Sequence, residues 1–366
     1  LLALTPDANP FMRHEYLSAL TLSGSATQQT GWLAHAMTVW ASDVLQAACM
    51  VYVKPHSYGE YVFDFAWAQA YAQHGLAYYP KAVVAVPFTP VPGPRFLARS
   101  EAARQALVQA TIEWSNSQNL SSMHALFLSD TDQHTCSQAD GLTRHTVQFH
   151  WHNGTPRYAS FEAFLGTMSQ DKRKKIRQER RKVADAGVTF RHAQGRSISE
   201  LDWDFFYQCY ERTYLEHGNA PYLTRDFFQR MADTMPENWL LFIAERAGMS
   251  IASSLIAINP YRESGGVAFG RYWGALERVD CLHFEACYYQ PLVWCIENGF
   301  SRFEGGAQGE HKMARALLPV RTSSSHWLAH PAFADAVERY LEREGSGIQN
   351  YLAHLQARTP FKKDAP

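Results

Sequence analysis

The order of strand and helix patterns limits the fold of this chain more than any other feature. Strand patterns at 44–54 and 60–67 are followed by a short helix and by a buried strand pattern at 81–86. The second half repeats this order and ends with a helix pattern at 283–297 and a strand pattern at 301–304. The repetition predicts two copies of one α/β domain, whereas a chance recurrence of a common order is the alternative.

The chain has 366 residues, enough for about two domains. We therefore predict an N-terminal domain at 1–150 and a C-terminal domain at 151–330, which contains a basic helix at 170–187. Residues 331–366 are predicted to form a C-terminal helix that packs back on the first domain.

Composition excludes several classes of protein. The chain is 46% hydrophobic with a net charge of −1, so it is not a disordered protein. No window offers the roughly 20 apolar residues of a membrane span, and the first residues do not follow the pattern of a secretory signal. The six cysteines form no C-x-x-C pair, which is typical of reduced cysteines, so we expect a cytoplasmic location.

The segment 172–182 concentrates positive charge in an otherwise neutral chain. It contains eight Lys or Arg residues and one acid. At helical spacing four of its arginines share one side, while Ile176 and Val183 face a core. Such a stripe suits the phosphates of nucleotide-linked sugars or of a tRNA backbone. The alternative is a solvated helix face, but such faces usually mix both signs of charge.

The segment 303–312 brings four polar side chains onto a glycine-rich loop at the end of a predicted strand: Glu304, Gln308, Glu310 and His311. Open α/β sheets place their sites at such strand ends, so we expect the active site here. His311 or one of the carboxylates could take a proton from an attacking amine. A polar turn with a structural role explains the pattern equally well.

A metal site is not expected. His283 and Glu285 point to different sides of the predicted helix, and no P-C-x-x-C follows them, which argues against a zinc deaminase. Glu285 and Tyr289 are four residues apart and therefore share a face. In the first half the segment 54–64 is predicted to form a polar hairpin, which either binds an acceptor or is a surface turn.

Four segments together resemble a known family: 54–64 (KPHSYGEYVFD), 172–187 (KRKKIRQERRKVADAG), 271–274 (RYWG) and 303–312 (FEGGAQGEHK). The resemblance is to the FemAB-like predicted N-acyltransferases of bacteria, also called peptidoglycan biosynthesis/recognition proteins, and it covers nearly the whole chain. More distantly, the chain is similar to the Fem transferases that build interpeptide bridges in cell walls. Those enzymes carry two tandem GNAT-type acyltransferase domains, which implies mixed central sheets flanked by helices.

The resemblance implies transfer of an acyl or aminoacyl group from an activated ester or thioester to a primary amine of a small molecule or cell-wall precursor. His311 or Glu310 is then expected to act as the base, with Glu304 and Gln308 beside them. Backbone N–H groups next to a splayed strand are expected to stabilise the oxyanion. The expected substrate-binding residues are Lys172, Arg173, Lys174, Arg177, Arg180, Arg271, Tyr272, Trp273, Glu285, Tyr289 and Lys312, together with Lys54, His56, Tyr58, Glu60 and Asp64.

Two donors and two functions stay open at this point. The segment 278–283 (RVDCLH) does not match the Q/R-x-x-G-x-G/A loop of acetyl-CoA-using GNAT enzymes, and Fem-type enzymes without that loop use aminoacyl-tRNA. Acyl-CoA and aminoacyl-tRNA are therefore both candidate donor substrates, and no tightly bound cofactor is expected. The alternative function is a non-catalytic protein that binds a phosphate-rich ligand, a peptidoglycan precursor or RNA through the basic segment.

Overall fold

The computed structural model describes residues 3–5, 8–260, 265–307 and 309–362, which fold into two units. Within these residues, unit 1 comprises Leu1–Val147 and Arg321–Ala353, and unit 2 comprises Gln148–Val320 and His354–Pro366. Each unit contains a mixed β-sheet with helices along it, so the predicted α/β class with mixed sheets is confirmed.

The strands of the described residues are β1 (Leu33–Ala41), β2 (Val44–Lys54), β3 (Lys81–Val84), β4 (Leu97–Ala98), β5 (Ser122–Ala125), β6 (Leu142–His152), β7 (Val188–Gln194), β8 (Trp239–Arg246), β9 (Met249–Asn259), β10 (Val267–Ala275), β11 (Arg302–Ala307) and β12 (Leu318–Leu328). Their helices are α1 (His14–Leu22), α2 (Phe65–Gln73), α3 (Glu101–Ser117), α4 (Asp130–Gln138), α5 (Phe161–Thr167), α6 (Gln170–Asp185), α7 (Glu200–Glu216), α8 (Arg225–Thr234), α9 (Leu282–Phe284), α10 (Gln290–Glu297) and α11 (Pro331–Ala357). Not one of these helices combines the length and the apolar character of a membrane span.

Unit 1 is organised around the strand order β1-β2-β3-β5-β12-β6, to which β6 contributes residues 142–147 and β12 residues 321–328. The pairs β1/β2, β2/β3 and β5/β12 are antiparallel, whereas β3 and β5 run parallel. Alternate residues of β2, among them Cys49 and Val51, pack against Leu107 of α3 in the main core of this unit.

Unit 2 repeats this arrangement with the strand order β6-β11-β10-β9-β8-β7, in which β6 contributes residues 148–152. Strands β7 to β10 are antiparallel neighbours, and β10 runs parallel to β11. In both units a run of antiparallel neighbours, three strands in unit 1 and four in unit 2, is followed by a strand that runs parallel to the last of them.

The limits of the two units differ from the predicted domain limits. The limit at residue 150 lies inside β6, and residues 321–330, which the sequence analysis assigns to the second domain, lie in unit 1. The reason is hydrogen bonding, because β12 pairs with β5 from Ser325 to Leu328. Residues 331–353 of α11 also belong to unit 1, where the Phe333 ring lies 4.0 Å from the ring of Tyr71.

The predicted strand at 60–67 is wrong. The hairpin partner of β2 is β1, residues 60–64 form a loop, and α2 begins at Phe65. Tyr61 has a φ of 60°, a left-handed conformation that interrupts a strand. Buried charges hold this loop, because Glu60 and Asp64 both accept a hydrogen bond from the Lys81 ammonium. These ion pairs override the alternating apolar pattern of the segment.

A buried polar chain continues from this loop through unit 1. The Tyr78 hydroxyl donates to Asp64 at 2.6 Å and lies 3.1 Å from Nε2 of His124. The Nδ1 atoms of His124 and His326 are 2.7 Å apart. Burial, reinforced by nearby positive charge, lowers the pKa of His124 to about 3 and the pKa of His326 well below its usual range. Both imidazoles are therefore neutral in the folded protein.

We expect this histidine pair to make unit 1 sensitive to mild acid. Because the folded pKa of each histidine lies below the unfolded value of about 6.5, the stabilisation is complete above that pH and declines as the pH falls. The free energy of unfolding should fall by about 1.4 kcal/mol per pH unit for each histidine. Urea unfolding at about pH 7.5 and about pH 5 measures this difference.

The variant His326→Gln should flatten this pH dependence, whereas His134→Gln, on the exposed side of α4, should leave it unchanged. The same acid sensitivity in His326→Gln as in the parent chain would contradict the assignment.

Candidate active site

Strands β10 and β11 of unit 2 run side by side only briefly and then separate. Their parallel pairing ends at Phe269 and Glu304, and the register of β10 against β9 shifts between Gly270 and Tyr272. Such a shift bends the strand. A cavity of about 210 Å³ lies at this divergence and is lined by Ser254, Gly270, Arg271, Tyr272, Trp273, His283, Cys287, Tyr288, Phe303, Gly305 and Lys312.

A change of helical winding gives one wall of the cavity. Helices α9 and α10 are joined by a π-turn, Glu285–Tyr289, so the prediction of one regular helix over 283–297 is wrong here. Pro291 explains the change, because it has no N–H to donate to the carbonyl four residues before it. From this segment the side chains that line the cavity are His283, Cys287 and Tyr288.

Burial shifts the titrating groups of the cavity towards their neutral forms. It lowers the pKa of His283 to about 4 and the pKa of Lys312 to about 8, and it raises the pKa of the Cys287 thiol to about 12. His283 is therefore a neutral imidazole at pH 7. The Lys312 ammonium donates to the Gly306 carbonyl at 3.2 Å, which holds this side chain in the cavity wall.

His311 lies on a short 3₁₀ turn, Glu310–Arg315, that follows β11. Its Nε2 is 3.3 Å from the hydroxyl of Tyr288, which lines the cavity. Partial burial, together with the positive charges of Arg315 and Lys312, lowers the pKa of His311. His311 is not part of the cavity lining itself, and its described link to the cavity is the contact with Tyr288; a neutral imidazole can act as a proton acceptor.

Glu304, also predicted to be catalytic, does not line the cavity. Its neighbours Phe303 and Gly305 do, and alternate residues of a strand face opposite sides of a sheet. The Glu304 carboxylate lies 3.0 Å from Nη2 of Arg302 and 3.8 Å from Nε2 of His150. Burial raises its pKa to about 7, against the effect of Arg302.

Of the last two members of the predicted catalytic set, Glu310 does not line the cavity. Glu310 is exposed and forms an ion pair with Arg358 at 3.3 Å. Gln308 lies outside the described residues.

The predicted substrate-binding residues of β10, Arg271, Tyr272 and Trp273, all line the cavity. Nη2 of Arg271 donates to the hydroxyl of Tyr272 at 3.1 Å, and the Trp273 ring lies 5.4 Å from the ring of His283. A guanidinium beside aromatic walls suits a ligand that has both polar and apolar parts.

Helix α6 carries the basic segment. Ile176 and Val183 are buried as predicted, and so is Glu179, the only acid of the segment. The other charged residues of the segment are Lys and Arg, and a concave region of about 470 Å³ runs along it. Arg177, Arg180 and Arg181 line this region together with Glu162, which pairs with Arg177, and Glu285. Lys172, Arg173 and Lys174 make no ion pair with any described residue.

The predicted ligands Glu285 and Tyr289 face α6 instead of the cavity. The Glu285 carboxylate pairs with Arg180 at 3.0 Å, and the Tyr289 hydroxyl donates to Glu179. Both contacts attach the π-turn to the basic helix.

In unit 1 the predicted substrate-binding residues divide into buried and accessible ones. Lys54, like Glu60 and Asp64, is buried, and its ammonium donates to two backbone carbonyls and lies 3.4 Å from the centre of the Trp32 ring. These buried charged groups stabilise the loop through contacts on its inner side. His56 and Tyr58 remain accessible to a ligand.

The matching end of the parallel pair in unit 1 is covered by its own chain. Beyond Ala125 of β5, the Leu126 carbonyl accepts from Nε of the buried Arg95 at 3.0 Å. Gly93 also pairs with Leu128 as a parallel bridge. In unit 1 the backbone groups beyond the parallel pair therefore form hydrogen bonds with their own chain, whereas in unit 2 an open cavity lies at this place.

Sequence reasoning missed four residues that line the cavity: Ser254, His283, Cys287 and Tyr288. His283 and Cys287 are four residues apart and share a face of a regular helix, whereas Tyr288 joins them in the cavity wall where the π-turn changes the winding. Pro291 inside a predicted helix was the available signal. No group of three His, Cys, Asp or Glu side chains suited to a metal ion occurs among the described residues.

Comparison with known proteins shows the family of the chain and its fold. A family model for FemAB-like proteins, described as peptidoglycan biosynthesis/recognition, matches residues 2–363. The crystal structure of FemX is 10% identical and covers 92% of this chain and 97% of its own, with a TM-score of 0.54. The structure of L-PGS from Bacillus licheniformis is 13% identical over 89% and 92% of the two chains, with a TM-score of 0.52.

A third similar structure is the C-terminal DUF2156 domain of a putative lysylphosphatidylglycerol synthetase from Agrobacterium fabrum. It is 10% identical over 83% and 87% of the two chains, with a TM-score of 0.51. At these identities the likeness shows a shared fold. No curated protein sequence matches the chain.

Gly274 permits the close approach of β10 to α7, and we expect its substitution to be costly. A Cβ at this position would lie 1.9 Å from the Cys209 carbonyl oxygen. The variant Gly274→Ala should lower the free energy of unfolding by about 1–3 kcal/mol or more, because α7 must move away. Gly345→Ala in α11, where the added carbon meets nothing within 4 Å, should raise it by about 0.5–1 kcal/mol. Thermal melts compare the two, and an unchanged midpoint for Gly274→Ala would contradict this account.

Proposed function

Since the chain belongs to the FemAB-like family of peptidoglycan biosynthesis and recognition proteins, we propose that it is an N-acyltransferase acting on a cell-wall precursor. It moves an aminoacyl or acyl group from an activated donor to a primary amine of the acceptor. One observation carries this proposal: a cavity at the divergence of β10 and β11, lined by buried titratable groups and bordered by a neutral His311.

In the proposed reaction the acceptor amine attacks the carbonyl carbon of the donor ester. His311 takes the proton of the attacking amine, and the Tyr288 hydroxyl orients the imidazole through the 3.3 Å contact. The oxyanion is stabilised by backbone N–H groups at the register shift of β10 and by the Lys312 ammonium. The bond from carbonyl carbon to donor then breaks, and the imidazolium returns the proton to the departing hydroxyl.

Two observations favour aminoacyl-tRNA over acyl-CoA as the donor. The N–H groups of Leu282 and Phe284, at the start of α9, already donate to the carbonyls of Val279 and Cys281. They are therefore unavailable to a pyrophosphate, which commonly binds at a helix N-terminus. The cationic surface of α6 supplies phosphate contacts of the kind that a tRNA backbone requires.

The base assignment predicts a selective loss of turnover in His311→Gln. We expect kcat to fall roughly 10²- to 10⁴-fold because the amine must lose its proton without help, while the affinity for the donor stays the same. A steady-state assay of radiolabelled aminoacyl transfer to a cell-wall precursor measures this loss. His217→Gln, an exposed histidine of unit 2, is the matched control. A larger loss in Glu304→Gln than in His311→Gln would refute the assignment.

The donor assignment predicts salt-dependent binding of tRNA. Calorimetric titration of bulk charged tRNA should show an affinity that falls steeply with salt, and Lys174→Ala should reduce the slope by about one. Tight binding of CoA that does not respond to salt would replace the proposed donor by acyl-CoA. Retained tRNA binding without transfer to any amine, in folded protein, would favour the non-catalytic alternative.

A further inference from the structure

The segment 172–182 contains eight basic residues and one acid, Glu179. Glu179 does not belong to the exposed surface of α6. Its side chain lies on the buried face of the helix with Ile176 and Val183. There the carboxylate accepts hydrogen bonds from Nη2 of Arg315 at 2.8 Å and from the hydroxyl of Tyr289.

Arg315 extends this contact to the loop that carries His311. Its Nη1 donates to the His311 carbonyl at 2.8 Å, and its guanidinium stacks 3.5 Å from the centre of the Phe284 ring. Arg315 is 3% exposed, so water screens the ion pair with Glu179 little. An uninterrupted set of contacts thus runs from Glu179 through Arg315 to the backbone of His311.

The loop that carries His311, residues 309–316, depends on contacts with other segments for its conformation. It begins at Gly309, with a φ of 102°, and ends at Ala316, with a φ of 60°. A left-handed conformation at a residue with a Cβ costs about 1–3 kcal/mol and persists where surrounding contacts impose it. Of the two ends, Ala316 carries this cost, and a short 3₁₀ turn has little stability of its own.

From these contacts we propose that Glu179 is a positioning residue, which acts through Arg315 to hold His311 against Tyr288. Helix α6 then has two roles: its outer surface binds the donor phosphates, and its buried carboxylate sets the place of the base. The catalytic consequence rests on the function proposed above, whereas the positioning itself is measurable without any substrate.

General stability is a weaker explanation of the pair. Replacing a buried ion pair by neutral groups is often neutral or stabilising, whereas removing one partner leaves a costly buried charge. The double variant Glu179→Gln/Arg315→Gln removes both charges together. It therefore distinguishes an effect on the position of the loop from an effect on the stability of the fold.

The first measurement is hydrogen exchange of the peptide 309–317 in protein without substrate. We expect exchange to be about tenfold faster in the double variant, with little change in the peptides of β8 and β9 and in the thermal midpoint. Glu216→Gln, which removes an exposed ion pair with Arg212 on α7, is the control and should leave the loop unchanged. Exchange of 309–317 at the parent rate in the double variant would overturn the proposal.

The second measurement is transferase kinetics of the same variants. The double variant should lose roughly 10- to 100-fold in kcat at an unchanged KM for the donor, because His311 is displaced while the donor surface is intact. Faster exchange with kcat at the parent value would also overturn the positioning role. Absence of transfer in the parent chain would instead count against the proposed function, and the exchange data would still decide the role of Glu179 in holding the loop.

Discussion

The separation of β10 from β11 beyond Phe269 and Glu304 creates the space around which unit 2 is arranged. Hydrogen bonds between these strands would otherwise close the sheet at this point. The register shift bends β10 at this opening, and the π-turn places Cys287 and Tyr288 in the cavity wall. The turn after β11 brings His311 to the edge of the same space.

The two units show that one strand order can end in two different ways. In unit 1 residues 91–95 cover the end of the parallel pair β3 and β5: the Gly93 N–H donates to the Phe127 carbonyl, and Nε of Arg95 donates to the Leu126 carbonyl. In unit 2 the corresponding residues line a cavity. A shared fold therefore does not imply a shared site, and the difference depends on a few connecting residues.

Much of this fold could be predicted because apolar periodicity dominates it. Strand β2 has the predicted bounds, and the basic helix begins at Gln170 as predicted. Segments whose course depends on buried charge could not be predicted this way, since the loop at 60–64 follows the Lys81 ion pairs. Among the proposed site residues, His311 and Lys312 stood out as polar residues on a glycine-rich loop. Cys287 and Tyr288 did not, because no periodicity describes a π-turn.

The strand order of unit 1 has a consequence for how the chain folds during its synthesis on the ribosome. Strand β12 hydrogen-bonds to β5 and β6, yet about two hundred residues of chain separate it from β5. Unit 1 therefore cannot complete its sheet while it emerges, although its first five strands are synthesised early. Until β12 arrives, β5 presents an open strand edge that invites pairing with other chains. We expect nascent chains that stop before residue 321 to depend on chaperones, and unit 2 to be able to form its strands β7 to β11 before unit 1 is finished.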